Sequence, residues 1–136
     1  MKSSGFSARR IAKLALFTTI ALTIYYAESL LPPLVPIPGI KLGLANIITL
    51  VLIKNASFKD AFFVLLMRIF IATFLFGQAM SLFYSLSGGL LSLFAMFLVN
   101  KFLQGSFDPI TGIFGALFHN MGQLLTAMLI VSSAAP

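Results

Sequence analysis

Long apolar runs, separated by short polar or proline-rich stretches, occupy most of this sequence. A helix that crosses a bilayer needs roughly 20 mostly apolar residues. We predict helices at Ile11–Leu31, Gly39–Ile53, Asp60–Met80, Tyr84–Leu103 and Ile110–Ser132. The second run is short for a span, so it either lies buried among the other helices or begins as irregular backbone.

The charge content supports a membrane location. Only 9% of the 136 residues are charged and 60% are hydrophobic, whereas about a quarter of a soluble domain is charged. Too little polar surface is present to cover a globule in water. No polar linker is long enough to separate two domains. The sequence therefore predicts an all-α, polytopic transmembrane bundle with five spans, forming a single domain over residues 1–136.

Several kinds of chemistry are excluded by composition. The three acidic residues, Glu28, Asp60 and Asp108, belong to different helices or loops, so no carboxylate pair is placed to bind a diphosphate through magnesium. The chain has no cysteine and no GxxxxGK[ST] phosphate loop, which excludes thiol chemistry and ATP hydrolysis. We therefore expect no enzyme activity, metal or cofactor.

The basic residues indicate orientation. The net charge is +6, but these residues lie at the ends of apolar runs without interleaved aromatic side chains, which argues against nucleic-acid binding. Cytoplasmic loops carry an excess of Lys and Arg. With a cytoplasmic N-terminus, Lys41 is the only one of the basic residues near the ends of the apolar runs that lies outside. The others lie inside: Lys2, Arg9, Arg10, Lys13, Lys54, Lys59 and Lys101.

Small residues recur at helical spacing on two of the predicted helices. On the first, Ala8, Ala12, Ala15 and Thr19 share one face, and such faces let helices approach closely in lipid. The face could contact another helix of this chain, which spacing alone favours, or a separate membrane subunit. The fifth helix mixes small and polar residues on one stripe: Gly112, Gly115, Ala116, His119, Gly122, Gln123 and Thr126.

Arg68 stands inside the apolar run "VLLMRIFIATFLFG". Counted from Asp60, it lies about 12 Å into the third helix. A charged side chain at that depth usually faces the protein interior or an aqueous cavity, and often marks function. Glu28 is predicted to lie roughly 13 Å higher, too far for a direct ion pair. His119 has a similar depth on the fifth helix.

Two interpretations of this polar layer are about equally supported by the residues alone. In the first, Arg68 is satisfied by His119, Asn120 and backbone carbonyls, which ties the third and fifth helices together. In the second, Arg68 is the cationic floor of a site for an anionic or polar ligand. The residues predicted to line that site are Asn46, Arg68, His119, Asn120 and Gln123, with Lys41 and Glu28 near its mouth.

Three segments of the sequence, together with the position of Arg68, resemble the pattern of one known protein family. "PGIKLGLANIITLVLI" (Pro38–Ile53), "LSGGLLSLFAMFL" (Leu86–Leu98) and "GALFHNMGQLL" (Gly115–Leu125) occur in order. Together they resemble the membrane proteins called heptaprenyl diphosphate synthase component I, or Gx transporters. The resemblance covers nearly the whole chain, and "KLGLANI" and "HNMGQ" are its most specific parts.

That family is in turn similar to the substrate-binding S components of energy-coupling factor (ECF) vitamin transporters. The resemblance implies a six-helix bundle in the bacterial plasma membrane, with a ligand pocket near the outer face and a lid formed by the proline-rich first loop. It implies a coupling subunit docked on the small-xxx-small motif, matched here by Ala8 and Ala12, together with separate ATPases. The chain stops at Pro136, where relatives continue into a sixth helix that would supply a pocket wall.

The sequence thus favours a membrane-embedded, S-component-like binding protein for a small ligand, either anionic or isoprenoid-related. Its partner-docking residues would be Ala8, Ala12 and Ala15. The alternative is a non-catalytic membrane subunit associated with heptaprenyl diphosphate or menaquinone synthesis, or with a membrane electron-transfer complex. The aspartate-rich motif of chain-elongating prenyl synthases is absent from the sequence.

Overall fold

The computed structural model describes residues 7–32, 36, 42–76, 79–105 and 108–134, and this part of the chain is helical apart from its turns. The predicted all-α fold with five helices is confirmed. In chain order the helices are α1 (Ala8–Ser29), α2 (Asn46–Asn55), α3 (Phe58–Phe76), α4 (Ala79–Phe102) and α5 (Asp108–Ala134).

Serine caps decide where two of the helices begin. The Ser7 hydroxyl accepts a hydrogen bond from the Arg10 amide at 3.2 Å, so α1 begins earlier than its apolar run. Ser57 accepts a bond from the Asp60 amide at 3.2 Å and starts α3 at Phe58. A hydroxyl at this position satisfies one of the amides that have no partner within the first turn of a helix.

α2 is much shorter than its apolar run. It has 10 residues and a length of about 15 Å, against a hydrocarbon core of about 30 Å. Gly39–Ile53 is therefore not a full span, because the described helix begins only at Asn46, after Gly43 takes a φ of 84°. The expectation that this short run begins as irregular backbone or lies buried among the other helices is confirmed for the described residues. Ile48 and Leu52 are buried, so α2 lies among the other helices.

The helices pack in a simple order around α2, which contacts each of the other four. Among the described residues, α1 also packs on α3, α3 on α4, and α4 most extensively on α5. In the described part of the chain, α5 does not pack against α1 or α3. The largest fully buried apolar side chains of the resulting core are Leu52, Leu65, Ile69, Leu93 and Met96.

The outside of this bundle is suited to lipid. The described helices that are long and apolar enough to cross a membrane are Ala8–Ser29, Ala79–Phe102 and Asp108–Ser133. α3 has 19 residues but carries Lys59, Asp60 and Arg68. Large apolar side chains face outward, including Phe74 at 88% exposed and Leu129 at 70%. Contiguous apolar surface of this kind is rare on proteins that face water.

Two ion pairs gather the charged residues at one end of the bundle. Arg10 of α1 bonds Asp60 of α3 at 2.6 Å, and Lys54 of α2 pairs with Asp108 at the start of α5. We call the end of the bundle that holds these ion pairs the Arg10 end, and the opposite end of the bundle the Glu28 end. The remaining described lysines and arginines outside the bundle interior are exposed and also lie towards the Arg10 end: Arg9, Lys13, Lys59 and Lys101.

Candidate functional site

Glu28 fixes the backbone that leads into α2. It lies in the last turn of α1, and its side chain is buried. One carboxylate oxygen accepts a bond from the Gly43 amide at 2.7 Å, and the other accepts a bond from the Leu44 amide at 3.0 Å. Hydrogen bonds to a carboxylate are stronger than those between neutral groups. The carboxylate also lies near the N-terminus of α2, where the helix dipole favours negative charge.

Arg68 is held inside the bundle, as predicted from its depth. Its side chain is only 4% exposed, and its guanidinium carbon lies 5.9 Å from the centroid of the Tyr25 ring, within the usual range of a cation–π contact. The Tyr25 hydroxyl is bonded to Ser81 at 2.8 Å. Glu28 is near enough to act on the charge of Arg68, although no ion pair joins them.

His119 occupies a space left by two glycines. Its Nδ1 lies 2.8 Å from the Asn46 side-chain nitrogen; if that amide donates, the neutral imidazole carries its proton on Nε2. A Cβ at Gly43 would lie 2.5 Å from the imidazole Cδ2, and one at Gly88 would lie 2.9 Å from Nδ1. Both distances are shorter than van der Waals contact, so the absence of side chains lets the loop before α2 and helix α4 close on the imidazole.

Two residues associated with this histidine carry unpaired carbonyl oxygens. Gln123 follows His119 by one turn and is 1% exposed. The Gln123 Oε1 and the Asn46 Oδ1 are both buried without a hydrogen-bond partner among the described residues. Buried polar atoms nearly always have a partner, so exceptions call for an explanation. A bound water or ligand that donates hydrogen bonds would satisfy both oxygens.

The structure divides the predicted polar layer into two clusters. The Arg68 cluster consists of Tyr25, Glu28, Arg68 and Ser81, and the His119 cluster consists of Asn46, His119 and Gln123. Among the described residues, no hydrogen bond joins Arg68 to His119 and α3 does not pack on α5, so the interpretation in which Arg68 and His119 tie those helices together is wrong. Gly43 connects the clusters, because its amide binds Glu28 and its Cα faces the imidazole.

Two other predicted site residues do not join these clusters. Asn120 lies on the exposed face of α5, so it does not line the buried space as expected. Lys41, predicted near the mouth, lies outside the described residues. Sequence reasoning missed Tyr25 and Ser81; Tyr25 could have been found because it precedes Glu28 by three residues on the same helix. Among the described residues, no cluster of His, Asp and Glu side chains could hold a metal ion.

The two small-residue stripes have different surroundings. Ala8, Ala12 and Ala15 are all exposed, so no described helix of this chain covers the stripe on α1. On α5, a Cβ at Gly115 would lie 2.7 Å from Met96, and one at Gly122 would lie 2.6 Å from the Ser87 carbonyl oxygen. The α5 stripe therefore packs closely on α4 at Gly115 and Gly122, although Ala116 is exposed, and the α1 stripe faces outward.

These features define a class: an all-helical bundle with a lipid-compatible surface and a buried polar interior towards one end. The sequence profile of heptaprenyl diphosphate synthase component I matches residues 17–135. The chain belongs to that family, as its motifs suggested. Searches of curated proteins and of solved structures each gave no significant match.

Proposed function

We propose that this chain is the membrane-embedded binding subunit of an ECF-type transporter, resembling an S component, and that it holds a small polar ligand near the Glu28 end. It performs no catalysis and depends on separate subunits for energy. With the excess of basic residues on the cytoplasmic side, the Arg10 end faces the cytoplasm and the Glu28 end faces outward. The membrane is the bacterial plasma membrane.

The observation that carries this proposal is the pair of unpaired carbonyl oxygens in the His119 cluster, together with the buried cation of the Arg68 cluster. Asn46 Oδ1 and Gln123 Oε1 are acceptors without partners among the described residues. Arg68 is a buried cation in the cluster that Gly43 connects to them through its bond to Glu28. A ligand with hydrogen-bond donors on one side and an anionic group on the other complements both clusters. Buried charges in membrane helices are costly, which makes a functional role the default interpretation.

A first prediction concerns a retained ligand. Protein extracted in mild detergent is expected to carry a small-molecule adduct in native mass spectrometry. Gln123→Met removes one unpaired oxygen with little change in volume, so the adduct should be lost while stability stays unchanged or rises by about 1 kcal/mol. Arg68→Met should also lose the adduct.

The matched control for this experiment is Lys101→Gln, which removes an exposed cation at the other end of the bundle. It should retain the adduct. Equal adduct occupancy in wild type, Gln123→Met and Arg68→Met would show that the two clusters are not the ligand site. Folding of each variant is checked by its circular dichroism and elution volume.

A second prediction concerns the outward stripe on α1. As the docking face for a coupling subunit, it requires close approach of a partner helix. Ala8→Leu combined with Ala12→Leu is expected to reduce co-purification of that subunit and its ATPases by about tenfold. Ala116→Leu makes the same change at an exposed position on α5 and should have no effect. Undiminished capture by the α1 variant would exclude this face.

The family match favours a second candidate function. As a component I protein, the chain would be a non-catalytic membrane partner of a prenyl diphosphate synthase. An accessory role in a membrane electron-transfer complex belongs to the same class. Affinity purification separates the candidates, because a coupling subunit with paired ATPases supports transport, whereas a soluble prenyl synthase or a flavoprotein supports the accessory role.

A further inference from the structure

An apolar groove with a volume of about 320 Å³ runs between α1 and α3 on the outside of the bundle. The helices are parallel, because Arg10 and Asp60 pair near their N-termini. The groove extends from Ile11 to Leu22 along α1, a rise of about 16 Å, which is about half of the hydrocarbon thickness of a bilayer. It is lined by Ile11, Leu14, Ala15, Thr18, Thr19, Leu22, Phe63, Met67 and Ile71.

The groove offers hydrocarbon contacts and little else. Its only polar side chains are Thr18 and Thr19. Their hydroxyls donate to the Leu14 and Ala15 carbonyls of their own helix, each at 2.8 Å. The short side chain of Ala15 leaves space on the α1 side of the groove, and the flexible side chain of Met67 lines the α3 side. An occupant with this chemistry is an alkyl chain, since a polar ligand would find no donor to replace its hydration.

Positive charge lies at the Arg10 end of the groove. Lys59 is exposed and precedes Phe63 by one turn, on the ridge of α3 that continues through Met67. Arg9 is also exposed, and the N-terminus of α1 adds partial positive charge there. None of the chain's three acidic residues neutralises Lys59, because Asp60 pairs with Arg10, Asp108 pairs with Lys54, and Glu28 lies at the other end.

We infer that this groove binds one acyl chain of an anionic phospholipid from the leaflet at the Arg10 end. The phosphate lies beside Lys59 and Arg9, and the chain fills the space between α1 and α3. Charge selects this occupant over a partner helix, because an apolar helix would leave the cations at headgroup level uncompensated. Ala15 and Thr19 belong both to the groove and to the α1 stripe, so a docked subunit and this lipid would compete.

The test uses the purified full chain, stripped of lipid in detergent and titrated with dioleoyl phosphatidylglycerol or dioleoyl phosphatidylcholine. Native mass spectrometry counts bound lipids. We expect one phosphatidylglycerol to bind more tightly than phosphatidylcholine by about fivefold, and Lys59→Gln to abolish that preference. Lys101→Gln, which removes a cation from α4, should leave the preference unchanged. Inorganic phosphate alone should not raise the melting temperature.

Two variants test the groove itself. Ala15→Phe fills it and should remove the tightly bound lipid, while Thr19→Leu makes a milder change at an exposed position and should weaken binding. Unchanged phosphatidylglycerol binding in both variants would overturn the site. Equal binding of the two lipids, or a stabilising effect of inorganic phosphate by itself, would overturn the headgroup assignment. These outcomes do not depend on the ligand proposed for the Glu28 end.

Discussion

Gly43→Ala is expected to lower the free energy of unfolding by about 2–5 kcal/mol, the sum of backbone strain and overpacking. Gly43 has a φ of 84°, which disfavours any side chain. A Cβ there would also lie 2.5 Å from the His119 ring and 3.0 Å from the Asn46 side-chain nitrogen. Chemical denaturation in detergent micelles, followed by circular dichroism, measures the loss.

The chain provides a matched control for this substitution. Gly105 also has a positive φ, 71°, but the nearest atom to a Cβ there is the Asn100 side-chain oxygen at 3.7 Å. Gly105→Ala therefore introduces backbone strain but no steric overlap with a neighbouring side chain, and should lower the free energy of unfolding by only about 1–2 kcal/mol. In a His119→Ala background, the cost of Gly43→Ala should fall towards this level, because only the contact with the Asn46 side-chain nitrogen remains. Equal losses at both glycines in the wild-type background would contradict the packing of the imidazole.

Hydrophobic run length predicted the long helices well. The run Ile11–Leu31 corresponds to α1 at Ala8–Ser29, and Ile110–Ser132 corresponds to α5 at Asp108–Ala134. An apolar run in lipid must satisfy its backbone hydrogen bonds within its own helix, so the sequence of the run is enough to predict that helix. The run length did not predict that α2 begins at Asn46, because the positive φ at Gly43 and the Glu28 bonds to the preceding turn are tertiary features.

The candidate site was predicted only in part, for a geometric reason. Counting residues gives the depth of a side chain along its helix, and both Arg68 and His119 are buried as expected. Depth says nothing about which helices are neighbours, so it could not exclude the interpretation that paired Arg68 with His119, although α3 and α5 do not touch in the described part of the chain. Asn120 was misplaced because adjacent residues on a helix differ by about 100° in direction, and the stripe Gly115–His119–Gly122 already indicated which face packs.

Glu28→Ala is expected to lower the free energy of unfolding by about 3 kcal/mol, since it removes two hydrogen bonds to a charged acceptor. The Gly43 and Leu44 amides lose their carboxylate partner, and Arg68 loses the favourable charge of Glu28. Glu28→Gln keeps one acceptor oxygen and the shape of the side chain, so about half of that loss should remain. The adjacent Ser29→Ala removes a hydroxyl bonded to its own helix and should have little effect.

The charge and the hydrogen bonds of Glu28 can be separated with Arg68→Met. If Glu28 stabilises Arg68 through space, the loss caused by Glu28→Gln will be smaller in the Arg68→Met background than in the wild type, because the attraction has already been removed. If the loss is the same in both backgrounds, Glu28 acts only as an acceptor for the turn before α2. In that case the connection between the Arg68 and His119 clusters is steric, through Gly43, and a ligand that reaches only one cluster will leave the other unchanged.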